Sequence, residues 1–230
     1  MLGGYDDTSR SVQSRRNIAK RSESLRRFIQ AQYHQHYNKL QSVPLNEWCN
    51  RFIQLDTGGY VTKDQVYKQL LQEWPIEGLA YESLLEEYQS SFAPHCVSRP
   101  CARQLLRLLR NTGLKTAIIT NGETVFQKAN IHQLGLSPYI NAVLVSEEEG
   151  IKKPDPVLFH RGAKRLGILP EECLYVGDHP INDVTGARQA GMKVAWLKQQ
   201  DSWPLDLPSP EYVLQNLWGL LPLLKELGSQ

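Results

Sequence analysis

Apolar residues recur at steps of three and four between residues 22 and 92, which is the spacing of one helix face. The stretch contains four such runs, and Pro44, the pair Gly58 and Gly59, and Pro75 stand between them. Proline is tolerated in the first turn of a helix but not inside it, and glycine is common just past a helix end. The pattern therefore predicts four helices with short connections, which would form a small bundle.

The pattern changes beyond residue 100, where short apolar runs alternate with helical stretches. Four runs have the length of strands: 116–119, 142–145, 173–176 and 193–197. Strands that are apolar on both faces are typical of a parallel sheet covered by helices. We therefore predict a doubly wound α/β layer from about residue 94 to 230, preceded by a helical unit at 20–93. An apolar helix is expected at the end of this layer, from about residue 214 to 227.

Residues 1–19 carry no apolar run that could form a buried strand, and several arginines make this segment basic. We expect it to be irregular. Clustered arginines are able to contact a phosphate backbone, but a solvated helix face or a loose tail explains them more simply. We therefore expect no nucleic-acid partner.

Composition and charge narrow the class of protein. The chain has 230 residues, with 26 Lys and Arg against 24 Asp and Glu, so its net charge of +2 gives no argument for or against a charged partner. No apolar run approaches the ~20 residues of a membrane helix, and the polar start lacks the apolar stretch of a secretory signal. The four cysteines form no Cys-x-x-Cys pair, which favours free thiols and a cytoplasmic protein. The oligomeric state cannot be predicted from these features.

Polar side chains follow three of the predicted strands. Thr120 and Asn121 follow the first, Lys153 follows the second, and Asp178 and Asp183 follow the third. The carboxyl ends of parallel strands open into one crevice, so we expect these side chains to converge. A hydroxyl, an ammonium group and carboxylates that hold Mg²⁺ suit phosphoryl transfer, because they stabilise the charge on the phosphoryl oxygens. Mg²⁺ itself needs only one or two protein carboxylates.

Three stretches resemble the second, third and fourth motifs of the haloacid dehalogenase (HAD) superfamily, in a form close to its phosphatases: 118–122 (IITNG), 152–156 (KKPDP) and 177–183 (GDHPIND). The helical stretch before residue 93 lies where this superfamily inserts an α-helical cap. The resemblance covers the chain from about residue 22 onward. It implies a Rossmann-like core at 94–230 and a cap at 20–93.

The resemblance also implies site residues. Binding of the phosphoryl group would fall to four of them: Thr120, Asn121, Gly122 and Lys153. Thr120 and Lys153 would also take part in catalysis, with Lys153 steadying the nucleophile. Asp178 would bind a Mg²⁺ cofactor, and Asp183 would support it as part of the metal site. The implied partner is a small phosphorylated substrate.

The first motif of the superfamily departs from this pattern. There, a buried strand ends in Asp-x-Asp-x-Thr, whose first Asp attacks phosphorus and whose second is the general acid and base. The comparable stretch here has Asp6, Asp7 and Thr8, which places Asp6 on the acid/base and metal-binding position and Gly4 on that of the nucleophile. A second alignment makes Asp6 the nucleophile and leaves Thr8 on the other Asp position, which we favour less.

Two functional hypotheses follow from the sequence. The first is a Mg²⁺-dependent phosphatase that acts on a small phosphorylated metabolite through an aspartyl-phosphate. The second is a catalytically silent domain that binds a phosphate ligand or a protein partner, because a nucleophilic aspartate is not evident. A dehalogenase is a minor third reading, since that chemistry needs no Mg²⁺ and the fourth motif is of the metal-binding type.

Overall fold

The computed structural model describes residues 10–13, 19–99, 101–199 and 203–228. The chain divides into two compact units, one of residues 20–97 and the other of residues 1–19 and 98–230. The first unit is helical, and the second contains a parallel sheet with helices between its strands. The predicted fold class, an α/β core with a helical unit, is confirmed.

The helical unit has its apolar residues where the periodicity places them. Its helices are α1 (Arg21–Gln35), α2 (Tyr37–Leu40), α3 (Leu45–Asp56), α4 (Lys63–Glu73) and α5 (Tyr81–Ser91). Trp48, Phe52 and Tyr67 are fully buried in its core, where the rings of Phe52 and Tyr67 lie edge to face at 5.1 Å. Short α2 extends the first of the four predicted helices, and Pro44 directly precedes α3.

The sheet unit contains six described strands, and every pair of neighbours is parallel. The strands are β1 (Arg10–Gln13), β2 (Thr116–Thr120), β3 (Ala142–Val145), β4 (Cys173–Gly177), β5 (Lys193–Leu197) and β6 (Tyr212–Leu214). Their order across the sheet is β3-β2-β1-β4-β5-β6. Every residue of β2 and β4 is buried, as their apolar sequences predict. The four strands predicted beyond residue 100 are all present.

Strand β1 corrects the expectation of an irregular segment at residues 1–19. Arg10–Gln13 pairs with β2 on one side and with β4 on the other, so it lies in the middle of the sheet. Its sequence, Arg-Ser-Val-Gln, has a single apolar residue, Val12. The prediction failed because a strand at the centre of a parallel sheet is normally apolar throughout. Strand β1 forms in spite of its polar sequence because its pairing with β2 and β4 uses backbone groups, which every residue type here provides.

Five helices of the sheet unit lie in the connections between described strands, and a sixth follows β6. They are α6 (Ala102–Asn111), α7 (Thr124–Gln133), α8 (Ser146–Glu149), α9 (Pro156–Leu166), α10 (Gly186–Gln189) and α11 (Leu220–Leu227). A wide π-helical turn, Pro180–Thr185, leads into α10. The apolar helix expected at 214–227 begins later than predicted, because the residues up to Leu214 form edge strand β6. Among the described residues, none of the helices has the length and apolar character to span a bilayer.

Helix α9 shows how the sequence fixes a loop next to the sheet edge. The side chain of Asp155 accepts a hydrogen bond from the backbone N–H of Val157 at 2.9 Å, which caps the helix. Pro156 occupies the first turn, where its missing N–H costs nothing. Gly167 ends the helix with a φ of +68°, a conformation that glycine adopts readily. The segment that carries Lys153 therefore leads directly into the capped N-terminus of α9.

Gly186 gives a test of this packing. A Cβ atom at this position would lie 2.7 Å from the backbone carbonyl oxygen of Pro154 and 2.8 Å from Cε2 of Phe159. We expect Gly186→Ala to lower the free energy of unfolding by about 1–3 kcal/mol, although alanine has the higher helix propensity. Urea denaturation measures this change. Gln189→Ala, at an exposed position of α10, is the control and should stay within about 0.5 kcal/mol of the unmodified chain. Equal midpoints for both variants would contradict the close contact.

Candidate functional site

The predicted site residues lie at the carboxyl ends of the parallel strands. Thr120 is the last residue of β2, and Asp178 directly follows β4. Lys153 lies on the segment between β3 and α9. These residues follow different strands, and β1 lies between β2 and β4 in the sheet, so they lie along one edge of it.

Asn121 joins two of these loops. Its side-chain oxygen accepts a hydrogen bond from the backbone N–H of Lys153 at 2.8 Å, and its amide nitrogen donates to the backbone carbonyl of Lys153 at 3.1 Å. Both ends of the amide are therefore used on the protein backbone. The side chain of Asn121 thus positions Lys153, and the predicted binding of phosphate by Asn121 stays a prediction.

Lys153 and Asp183 form a buried ion pair. The ammonium nitrogen of Lys153 lies 2.5 Å from Oδ1 of Asp183, and the two side chains are only 6% and 2% exposed. Burial by itself raises the pKa of Asp183. The charge and hydrogen bond of Lys153 lower this pKa by more than burial raises it, so it falls below its ordinary value. The pair is thus a carboxylate and an ammonium that hold each other inside the protein.

The other oxygen of Asp183 binds the backbone after β4. Oδ2 accepts hydrogen bonds from the N–H groups of Asp178 and His179, each at 3.2 Å. Gly177 makes this approach feasible, because a Cβ atom there would lie 2.2 Å from the Cβ of Asp183. His179 stabilises the turn that carries Asp183, since its Nδ1 accepts from the N–H groups of Ile181 and Asn182 at 3.0 and 3.1 Å. Asp183 therefore fixes the backbone that positions Asp178.

Tyr175 completes the group around Asp183. Its hydroxyl donates to Oδ1 of Asp183 at 2.9 Å, and it accepts from the ammonium of Lys153 at 3.3 Å. Burial, together with the nearby Asp183, raises the pKa of Tyr175 well above its usual value, so the phenol stays protonated. Sequence analysis missed this residue because a tyrosine in an apolar strand resembles ordinary core packing.

Thr120 and Gly122 are held by local hydrogen bonds. The hydroxyl of buried Thr120 donates to the carbonyl of Asn121 at 3.3 Å. Gly122 has a φ of +136°, and its N–H donates to the hydroxyl of Ser146 at 2.9 Å. A side chain at Gly122 would overlap Gln127, whose amide also binds the carbonyl of Asn121. Ser146, the first residue of the short helix after β3, is a second residue that was not predicted from the sequence, because its contact with Gly122 appears only in three dimensions.

The fit of the site to Mg²⁺ depends on its carboxylates. Among the described residues, no group of three potential metal-ligating side chains comes together. Asp183 has both oxygens occupied by four donors, whereas Asp178, the predicted metal ligand, directly follows β4 at the edge of the sheet. Mg²⁺ completes its coordination with water and with substrate phosphate. The residues therefore fit a site with one protein carboxylate, in which Asp183 supports rather than ligates.

The nucleophile is the part of the site that this geometry does not supply. Asp6, the catalytic and metal-binding residue suggested by sequence, lies outside the described residues. In the chain it precedes β1, whereas Thr120 and Asp178 stand at or after the carboxyl ends of their strands. Beyond Gln13, the first acidic residue is Glu23. The strand that separates β2 from β4 is therefore not followed directly by a carboxylate.

Comparison with known proteins agrees with the fold and the motifs. The chain is 39% identical to a glyceraldehyde 3-phosphate phosphatase of Pyrococcus furiosus over 134 residues, which is 56% of each protein. It is 42% identical to a phosphoserine phosphatase of Thermus thermophilus over 98 residues, covering 43% of this chain and 39% of that protein. The chain thus spans about half the length of these relatives, or less.

Solved structures share the fold over nearly the whole chain. The HAD-hydrolase YfnB of Bacillus subtilis, a structure bound to magnesium, has a TM-score of 0.78 at 22% identity and covers 94% of this chain and 98% of its own. A HAD family hydrolase of Deinococcus radiodurans, with bound phosphate and sodium, has a TM-score of 0.70 at 20% identity and covers 97% and 98%. Residues 6–191 match the family described as haloacid dehalogenase-like hydrolase. The chain is a member of that family.

Proposed function

We propose that this chain is a phosphatase that acts on a small phosphorylated metabolite. The observation that carries the proposal is the ammonium of Lys153, which Asp183 and Asn121 hold at the edge of the sheet where Thr120 and Asp178 also lie. A fixed cation in a partly buried site stabilises the anionic oxygens of a phosphoryl group more strongly than one in water. Relatives named as phosphatases support the same class of substrate.

Each residue has a proposed role in this reaction. Lys153 binds the phosphoryl oxygens, and the hydroxyl of Thr120 turns from the carbonyl of Asn121 to donate to the same group. Gly122 forms the turn beside it. Asp178 holds Mg²⁺, which neutralises negative charge on the phosphate when bound. Asp183 and Asn121 keep Lys153 and the Asp178 loop in place. Residues 20–97 act as the cap that selects the substrate. The cysteines among the described residues are thiols, which supports a cytoplasmic location.

The catalytic carboxylate is proposed from the first-motif alignment, which favours Asp6 as acid and base and puts Gly4 in the place of the nucleophile. Hydrolysis through an aspartyl-phosphate needs a carboxylate next to the phosphorus. Asp6 is the acidic residue that the first-motif alignment offers, either as acid and base or as nucleophile.

A second function, phosphate binding without turnover, is favoured by one observation. Strand β1 lies between β2 and β4, yet no acidic residue occurs between Gln13 and Glu23. The binding groups of the site would then be retained while the attacking group is lost. Phosphate release by the unmodified chain and by Asp6→Asn distinguishes these two functions.

Replacing Lys153 tests the binding of the phosphoryl group. We expect Lys153→Ala to reduce phosphate release from an aryl phosphate at least ~100-fold, because a hydrogen bond to a charged group contributes about 1.5–3 kcal/mol and the buried charge adds to this. Lys152→Ala is the matched control, since Lys152 is the exposed neighbour, and it should retain full activity. Removing one partner of a buried pair costs about 3–5 kcal/mol, so urea denaturation must show that the variant is folded in the assay. Equal activity of the two variants would rule out the proposed role of Lys153.

Replacing Asp178 tests the metal site. Asparagine has almost the same shape as aspartate but lacks the charge, so we expect Asp178→Asn to weaken Mg²⁺ binding at least ~10-fold. Isothermal titration of the protein with MgCl₂ measures this directly, and EDTA should abolish phosphate release by the unmodified chain. Asp155→Asn is the control, because Asp155 caps α9 and asparagine also caps helices well. Unchanged Mg²⁺ affinity in Asp178→Asn would contradict the assignment.

Replacing Asp6 separates the two proposed functions. If the chain is a phosphatase, Asp6→Asn should abolish phosphate release, whereas Asp7→Asn should retain most of it. If the chain only binds phosphate, the unmodified protein should release no phosphate above the Lys153→Ala background but should still bind inorganic phosphate in calorimetry. Turnover that survives in Asp6→Asn would exclude Asp6 from the chemistry.

A further inference from the structure

Tyr175 is a buried polar group that ordinary packing does not explain. It is fully buried in β4, whose other residues are Cys173, Leu174, Val176 and Gly177. Its ring packs edge to face on Phe159 with centroids 4.9 Å apart. A phenylalanine would provide this contact equally well. A hydroxyl placed in such a core is unfavourable unless it is hydrogen-bonded, so its partners indicate why it is there.

Both partners of the Tyr175 hydroxyl belong to the site. The hydroxyl donates to Oδ1 of Asp183 at 2.9 Å and accepts from the ammonium of Lys153 at 3.3 Å. The same Oδ1 accepts from Lys153 at 2.5 Å, so the three polar atoms form a closed triangle. Such a triangle restricts the ammonium in direction as well as in distance, because a single ion pair alone would let it swing around the carboxylate.

We propose that Tyr175 is a positioning residue, whose hydroxyl keeps the Lys153 ammonium aimed at the phosphate group. The inference rests on the proposed function for its consequence but on the geometry alone for the placement of Lys153. Tyr175 comes from β4, whereas Lys153 comes from the loop after β3. The hydroxyl therefore links the strand that leads into Asp178 to the loop that supplies the cation.

The first measurement compares Tyr175→Phe with Tyr33→Phe. Tyr33 is the control because it is also buried, and its hydroxyl donates to the carbonyl of Val43 at 2.7 Å in the helical unit. Both variants should lose similar stability in urea, since each loses one buried hydroxyl group and the two hydrogen bonds it makes. We expect inorganic phosphate to bind about tenfold more weakly to Tyr175→Phe and equally well to Tyr33→Phe. Phosphate affinity that is unchanged in both would overturn the inference.

The second measurement does not depend on phosphate. An ammonium held by two acceptors exchanges its protons slowly and should give a ¹H–¹⁵N signal in ¹⁵N-labelled protein. The signal of Lys153 is identified by its loss in Lys153→Arg. It should shift or broaden in Tyr175→Phe and remain in place in Tyr33→Phe. An unmoved signal, or no such signal in the unmodified protein, would refute the positioning role.

The two measurements together separate the failure of each proposal. If the unmodified chain binds no phosphate, the proposed function fails, and the ammonium signal still decides whether Tyr175 positions Lys153. If phosphate binds but the signal and the affinity of Tyr175→Phe match those of the unmodified chain, the proposed function stands and Tyr175 is a packing residue.

Discussion

The carboxylate of Asp183 is the group on which the site depends. Its two oxygens accept hydrogen bonds from four donors: the ammonium of Lys153, the hydroxyl of Tyr175 and the backbone N–H groups of Asp178 and His179. A buried charge is costly unless it is paired and hydrogen-bonded, and here every lone-pair direction is used. A buried pair adds little net stability compared with apolar residues of similar size. The arrangement is better explained by position, because one carboxylate fixes a cation and a loop at once.

Two close backbone approaches make this arrangement feasible. Gly177 allows Asp183 to come within contact of the end of β4, and Gly186 allows α10 to lie against the carbonyl of Pro154. Asn121 then fixes the Lys153 backbone from the side of β2. The loop that carries Lys153 is thus restrained from three directions, by β2, by α10 and by Asp183. Restraints of this kind hold a charged group in place before a ligand arrives, so binding costs less ordering.

The sequence predicted the residues whose position follows from the fold. Thr120, Lys153 and Asp178 each come after an apolar run, and the ends of parallel strands converge, so their grouping follows from pattern and topology. The hydrogen bonds of the Asn121 side chain could not be predicted, because its partner is the backbone of a residue 32 positions away. Tyr175 was missed for a similar reason. Periodicity counts a tyrosine as apolar, and only the three-dimensional partners of its hydroxyl show that it is also polar.

Strand β1 shows where prediction from composition fails and what this means for function. Its polar sequence gives no strand pattern, but its backbone pairs with β2 and β4 as the middle strand of the sheet. The groups proposed to bind phosphate come from residues 120–183, whereas the carboxylate proposed to take part in the chemistry, Asp6, comes from the segment before residue 20. These two parts are separate in the chain, so a change in one need not alter the other. Membership in the family therefore supports the fold and the binding groups more directly than it supports turnover, because the fold depends on backbone pairing and the chemistry depends on a single carboxylate.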